Sequence, residues 1–173
     1  MDVSDLQALV RDVPNFPKDG IDFKDITPLL ANETAFSSMI DLIVGHYGQG
    51  SVDLVVGIEA RGFILAAPVA YHFGAGFVPV RKIGKLPWHV ESESYALEYG
   101  TATLEIHKDA IGSGRRVLII DDVLATGGTA KAAVALVERL GGIVTGVACL
   151  LELTALGGRA RISGYDFFSL ISY

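Results

Sequence analysis

Apolar residues recur along this chain in two rhythms. Leu54-Val55-Val56-Gly57-Ile58 and Val117-Leu118-Ile119-Ile120 are unbroken apolar runs, short and rich in β-branched side chains. A strand reads this way when helices cover both faces of a parallel sheet. Phe77 to Val80 and Ile143 to Leu151 supply two more such runs. Helical spacing lies between them. Phe63 to Phe73 follows the first run, and Ala133, Leu136, Val137 and Leu140 stand at i, i+3, i+4 and i+7 after the Val117 run. Upstream, Phe36, Met39, Ile40 and Ile43 predict a helix over about 34–46. Leu6, Leu9 and Val10 predict an amphipathic helix from Ser4, as N-cap, to Val13, ended by Pro14 and Pro17. A polar stretch runs from Ile83 to Ser94, and Tyr95 to Ile106 reads as antiparallel strands. Alternating strands and helices of this kind predict a doubly wound α/β fold. Its sheet is mainly parallel and flanked by helices, with a small hood and an antiparallel loop, in one domain over residues 1–173.

Composition narrows the partners. The chain has 173 residues, 50% of them apolar and 20% charged, which suits one folded domain of ordinary size. No apolar run reaches the roughly 18 residues of a membrane span. Met1 to Val13 carries Asp2, Asp5, Arg11 and Asp12, unlike a secretory signal. Cys149 is the only cysteine, so no internal disulfide can form and a cytoplasmic location is expected. The net charge of −6 disfavours a nucleic-acid surface but leaves room for a local anion site. Glycine is in excess, at 20 residues, and clusters beside the predicted strands.

In such sheets ligands bind outside the carboxyl ends of the strands, and the unusual residues fall there. Val117 to Ile120 runs into Asp121-Asp122, and Ala125-Thr126-Gly127-Gly128-Thr129 then turns into a helix. Paired carboxylates can accept from a diol. Glycines let backbone amides converge, two threonine hydroxyls add donors, and the helix N-terminus favours a phosphate. A diol anchor beside a phosphate cradle describes a ribose 5-phosphate site. No G-x-x-x-x-G-K-[ST] loop and no G-x-G-x-x-G after a strand is present, which argues against a P-loop or a dinucleotide fold.

Apolar strand, acidic pair and T-G-G-T loop together resemble the type I phosphoribosyltransferases, most closely the branch acting on adenine. The resemblance covers nearly the whole chain, through Phe16 to Pro28, Glu59 to Phe63, Arg81 to Pro87, Tyr95 to Gly100, and Asp121 to Thr129. It implies the reaction of adenine with 5-phosphoribosyl 1-pyrophosphate to give AMP and pyrophosphate in purine salvage. Mg²⁺ would accompany the pyrophosphate rather than sit on protein ligands, and the enzyme would be a homodimer. On this resemblance Asp121 and Asp122 hold the ribose hydroxyls and Ala125 to Thr129 the 5′-phosphate. Glu59, Ala60 and Arg61 serve the pyrophosphate, with a cis peptide between Glu59 and Ala60, and Arg81, Lys82 and Lys85 add positive charge. Residues 1–33 form most of the hood and base-binding region. There adenine stacks on Phe23, backbone groups of Asp22 and Lys24 read its edge, and Leu153 covers its other face. Many relatives carry Arg where this chain has Lys24. Glu98 is the acid/base residue near N7, with Tyr99 beside it.

Two other functions share these motifs. A 6-oxopurine transferase typically carries an acidic residue where this chain has Ala125 and a lysine near the base, which Leu151-Glu152-Leu153 lacks. A non-catalytic regulator that binds the same pyrophosphate would join a DNA-binding module, for which an acidic 173-residue chain offers no match. The polar segment Ile83 to Ser94 is expected to close over substrate and exclude water. Trp88 marks its middle, and its alternative role is a fixed anchor to the core or to a partner subunit.

Overall fold

The computed structural model describes residues 1–97 and 100–173. Two compact units make up the chain, Met1–Leu42 and Ile43–Tyr173.

The first unit opens with helix α1 (Val3–Ala8), shorter than its apolar spacing suggests. Asp2, not Ser4, is the N-cap. Its carboxylate accepts the Asp5 N–H at 3.0 Å, Asp5 reaches back to the Asp2 N–H at 3.3 Å, and the Ser4 hydroxyl merely donates to Asp2. An acidic cap satisfies free amides and complements the helix dipole. The residues expected to prolong the helix form strand β1 (Arg11–Val13) instead, paired antiparallel with β2 (Phe23–Asp25). Cross-strand charge decides it. Arg11 meets Asp25 at 3.3 Å and Lys24 meets Asp12 at 2.5 Å, contacts a helical residue 11–13 could not make. The connection uses Asn15 at φ 56° and a cis Phe16–Pro17 bond. Short α2 (Thr27–Ala31) follows, then α3 (Glu33–Tyr47), matching the predicted helix and capped by the Asn32 side chain on Ala35 N–H.

The second unit is a seven-stranded sheet in the order β5-β6-β4-β3-β7-β8-β9. Its strands and helices run β3 (Leu54–Ile58), α4 (Gly62–Phe73), β4 (Gly76–Lys82), β5 (Val90–Ala96), β6 (Thr101–His107), β7 (Arg116–Leu124), α5 (Gly128–Arg139), β8 (Ile143–Glu152) and β9 (Phe167–Ser172). From β4 to β9 the pairings are parallel, while β5 and β6 are antiparallel additions at one edge. Alternation along β3 separates the two faces. Val56 and Ile58 join the cluster that includes Val134 and Val137 of α5. On the other face a Cβ on Gly57 would lie 2.8 Å from Ala66 of α4. The unbroken apolar runs are thus strands covered on both sides, a doubly wound α/β architecture with Val117 to Ile120 fully buried at its centre.

Two boundaries differ from expectation. Strand β5 begins at Val90, so only residues 83–89 form the connection. Val90 pairs with His107, and Ser92 and Ser94 lie on a two-residue alternation that polarity alone disguises. Strand β9 was not anticipated. Two short 3₁₀ turns, Thr154–Leu156 and Gly158–Ile162, lead into it.

Candidate active site

Strand β7 continues two residues past the acidic pair before the loop begins, and alternation gives the two aspartates different surroundings. Asp121 lines a cavity of about 130 Å³ together with Ala125, Thr126, Gly127, Thr129 and Cys149. Asp122 is 6% exposed and bound by Arg61 Nε at 2.5 Å, while its N–H donates to Asp121 Oδ1 at 2.9 Å. Burial, then the neighbouring Asp122 charge, push the Asp121 carboxyl well above the usual carboxylate range. The start of α4 touches the same strand. A Cβ on Gly62 would lie 2.9 Å from the Ile120 carbonyl and 3.0 Å from Asp121 Oδ1, so only glycine fits after Arg61. Cys149 pairs beside Asp121 on β8 and lines the cavity, and burial followed by the two aspartates raises its thiol pKa, which favours the neutral form.

The loop Ala125–Gly127 delivers the N-terminus of α5 to this cavity. Gly127 is the N-cap at φ 81°, and no side chain caps the helix. The leading amides of a helix have no partner within it, so these are available to an anion. Thr126 and Thr129 stand in the same wall. Two supports of the loop went unrecognised in the sequence. The Tyr95 ring lies 3.0 Å from where a Gly128 Cβ would be, and the Thr129 hydroxyl donates to the Tyr95 oxygen at 3.2 Å. Gly158 packs backbone to backbone on Gly127 from the other side. Tyr95 carried no signal beyond its nearness to Glu98, and Gly158 none beyond being one of many glycines.

A cationic group lies where β3 and β4 end. The Glu59 side chain, 4% exposed, accepts from Lys85 Nζ at 2.6 Å, Arg81 Nε at 2.9 Å and the Lys82 N–H at 3.0 Å. Burial raises its pKa, but the hydrogen bonds from Lys85, Lys82 and Arg81 outweigh it and the carboxyl lies below its ordinary value. Glu59 therefore acts by holding two cations in place rather than by meeting an anion with its own charge. The Glu59–Ala60 peptide is cis, as the motif leads one to expect. Lys82 makes no ion pair among the described residues.

In the first unit, Phe23 is half-buried and meets Phe16 edge to face at 5.3 Å. With Val13 and Asp25 these rings line a cavity of about 250 Å³. Asp22 is exposed, and the Lys24 ammonium is bound to Asp12. Leu153 follows β8, its N–H donating to the Leu124 carbonyl at 2.9 Å. Glu98 and Tyr99 lie outside the described residues. Trp88 is 64% exposed, which rules out burial against the core of this chain.

Residues 25–171 match the phosphoribosyl transferase domain. An adenine phosphoribosyltransferase from Acidothermus cellulolyticus is 59% identical over 98% of this chain and 97% of its own length. The chain belongs to the adenine phosphoribosyltransferase family. The crystal structure of the family member from Thermoanaerobacter pseudethanolicus superposes with a TM-score of 0.96, at 51% identity over 99% of both chains. That of the Saccharomyces cerevisiae member, complexed with an imino-altritol bisphosphate and adenine, has a TM-score of 0.91 at 38% identity, covering 97% of each chain. The mainly parallel sheet flanked by helices is thus a fold this chain shares with those structures. No described helix is long and apolar enough to cross a membrane.

Proposed function

We propose that this chain transfers the phosphoribosyl group of 5-phosphoribosyl 1-pyrophosphate to adenine, forming AMP and pyrophosphate in purine salvage. A bond forms between adenine N9 and C1′ of the ribose. The C1′–oxygen bond breaks, its electron pair leaves with pyrophosphate, and adenine, reacting through the free lone pair of N9, gives up the proton on N7. Charge separates at C1′ on the way, so the protein must anchor the ribose and stabilise the leaving group. The observation that carries this reading is the cavity at the end of β7, where the uncapped N-terminus of α5 and the Asp121 carboxyl face one space. The 5′-phosphate is assigned to the loop amides and the Thr126 and Thr129 hydroxyls. Asp121 and Asp122 receive the ribose hydroxyls, and Arg61, bound to Asp122 at 2.5 Å, orients that carboxylate.

Pyrophosphate is assigned to Arg61, Arg81, Lys82 and Lys85, with Glu59 fixing the last of these and Arg81. Magnesium is proposed to arrive on the pyrophosphate oxygens and to screen the leaving group's charge. Arg81 and Lys85, both held by Glu59, would add positive charge at the same place. Phe23 is proposed as the base platform, Asp22 and Lys24 as backbone readers of its edge, Leu153 as a cover, and Glu98 with Tyr99 as the proton-handling pair at N7. A homodimer is proposed, which would cover apolar side chains such as Ile64 and Tyr71 of α4, 41% and 84% exposed. A reducing cytoplasm is proposed from the lone, buried cysteine.

Competition among adenine, hypoxanthine, guanine and xanthine tests the activity. With Ala125 in the loop and no lysine beside Leu153, adenine should be preferred by about 10⁴ in kcat/KM. Hypoxanthine turnover within about ten-fold of adenine would overturn the assignment.

A further inference from the structure

We propose that Arg159, gripped by Glu152, is a positioning residue that sets the backbone of the phosphate loop through Gly158. Glu152 ends β8 in register with Leu124, the residue before the loop, and its side chain is 5% exposed. Arg159 meets it with a two-pronged bridge, Nε at 2.6 Å and Nη2 at 2.7 Å, and the Ser169 hydroxyl adds a third bond at 3.2 Å. The guanidinium also lies over the Phe167 ring, 4.6 Å from its centre. Each partner favours the other's charged form. The bridge is the main reason that the Glu152 carboxyl lies below its usual range and the Arg159 pKa above its own. With both prongs committed to Glu152, this guanidinium is a poor candidate for a phosphate ligand.

What the bridge holds is the adjoining backbone. A Cβ on Gly158 would lie 2.4 Å from the Ala125 carbonyl oxygen and 3.0 Å from the Gly127 nitrogen. Reciprocally, a Cβ on Gly127 would lie 2.4 Å from the Gly158 carbonyl. The two backbone segments touch with no side chain between them, so a displacement of residue 158 passes directly into the amides at 125–127. Tyr95 supports the loop at Gly128 and Thr129, whereas Gly127, which gives α5 no side-chain cap, is met by Gly158. Glu152 is buried but the Arg159 side chain is 58% exposed, so the pair contributes little net stability, and its use is to fix one geometry among several. A bidentate Arg–carboxylate pair does this best, because a planar fork fixes direction as well as distance.

The inference rests on the assignment of the 5′-phosphate to this loop. Steady-state kinetics with each substrate varied separately, alongside thermal melts, test it in Arg159→Gln, Arg159→Lys and Gly158→Ala, with Thr126→Val/Thr129→Val as reference. Misaligning one charge-assisted bond to phosphate should raise KM for phosphoribosyl pyrophosphate about ten-fold or more in Arg159→Gln and Gly158→Ala. KM for adenine should stay within about two-fold, the split expected when one substrate's binding alone is lost. Lysine supplies one prong and should recover only part of the affinity. A lowered melting temperature with both KM values unmoved in Arg159→Gln would make the bridge merely structural and overturn the proposal. Should Arg159→Gln fail to fold, Gly158→Ala decides, because it disturbs the same contact with the bridge intact. An unmoved phosphoribosyl pyrophosphate KM there is equally fatal. If instead the threonine reference itself leaves that KM unchanged, the phosphate assignment fails, and the positioning role with it.

Discussion

Replacing Thr126 and Thr129 together with valine is the most direct perturbation of the phosphate site. Valine keeps the shape of threonine and removes only the hydroxyl, so the cavity of about 130 Å³ keeps its size while losing two donors. A hydrogen bond to a charged group contributes about 1.5–3 kcal/mol, so two lost donors amount to about 3–6 kcal/mol, or roughly 10²–10⁴ in kcat/KM. One correction is needed for Thr129, whose hydroxyl donates to the Tyr95 oxygen at 3.2 Å. Removing that neutral bond costs about 0.5–1.5 kcal/mol of folding stability, which a thermal melt reads separately from catalysis. Tyr95→Phe removes the same internal bond with both threonines intact, and so isolates the share owed to phosphate. The assay varies phosphoribosyl pyrophosphate at saturating adenine in the wild type, the double variant and Tyr95→Phe. The double variant should lose at least about a hundred-fold in kcat/KM, and Tyr95→Phe far less. An unchanged kcat/KM in the double variant would falsify the site, as would a Tyr95→Phe loss equal to the whole effect.

Asp121 should show opposed effects on stability and affinity. Its carboxyl is raised by burial and by Asp122. A folded-state pKa above the unfolded one means that its contribution to stability is complete below the ordinary carboxylate range, near pH 4, and is lost as pH rises through the folded value. Asp121→Asn, neutral throughout, should therefore be more stable than wild type at pH 7, with the gap closing on acidification, while KM for phosphoribosyl pyrophosphate rises. Urea midpoints across pH 4–7 check this, and a gap that widens toward low pH refutes it. Trp88, the sole tryptophan and 64% exposed, reports on segment 83–89. If that segment closes over substrate, its emission should shift along the binding curve of AMP, and an emission unmoved at saturation leaves no lid.

Much of this protein could be read before its coordinates. Val117 to Ile120 announce a buried central strand because a run apolar on every residue has no solvent face to choose. Asp121 to Thr129 mark a candidate site, because two carboxylates at the end of such a strand are costly to bury for packing alone. Local chemistry specified both, within a window of about a dozen residues. The end of the first helix was a weaker matter. Leu9 and Val10 fit helical spacing, but the pairing of residues 11–13 with 23–25 is a choice made across a turn, where Lys24 and Asp12 meet. The same limit hid the strand at Val90 to Ser94, whose polar residues are ordered only by the partner strand they pair with. Most distant from local reading are the groups that act by contact. Glu59 stands in a segment proposed for pyrophosphate, yet its charge is committed to Arg81 and Lys85, more than twenty residues away. Arg159 looks like surface charge until Glu152 and Gly158 show what it holds in place. Spacing along a chain encodes which face a residue takes, whereas the identity of its neighbour across that face is a property of the packed whole.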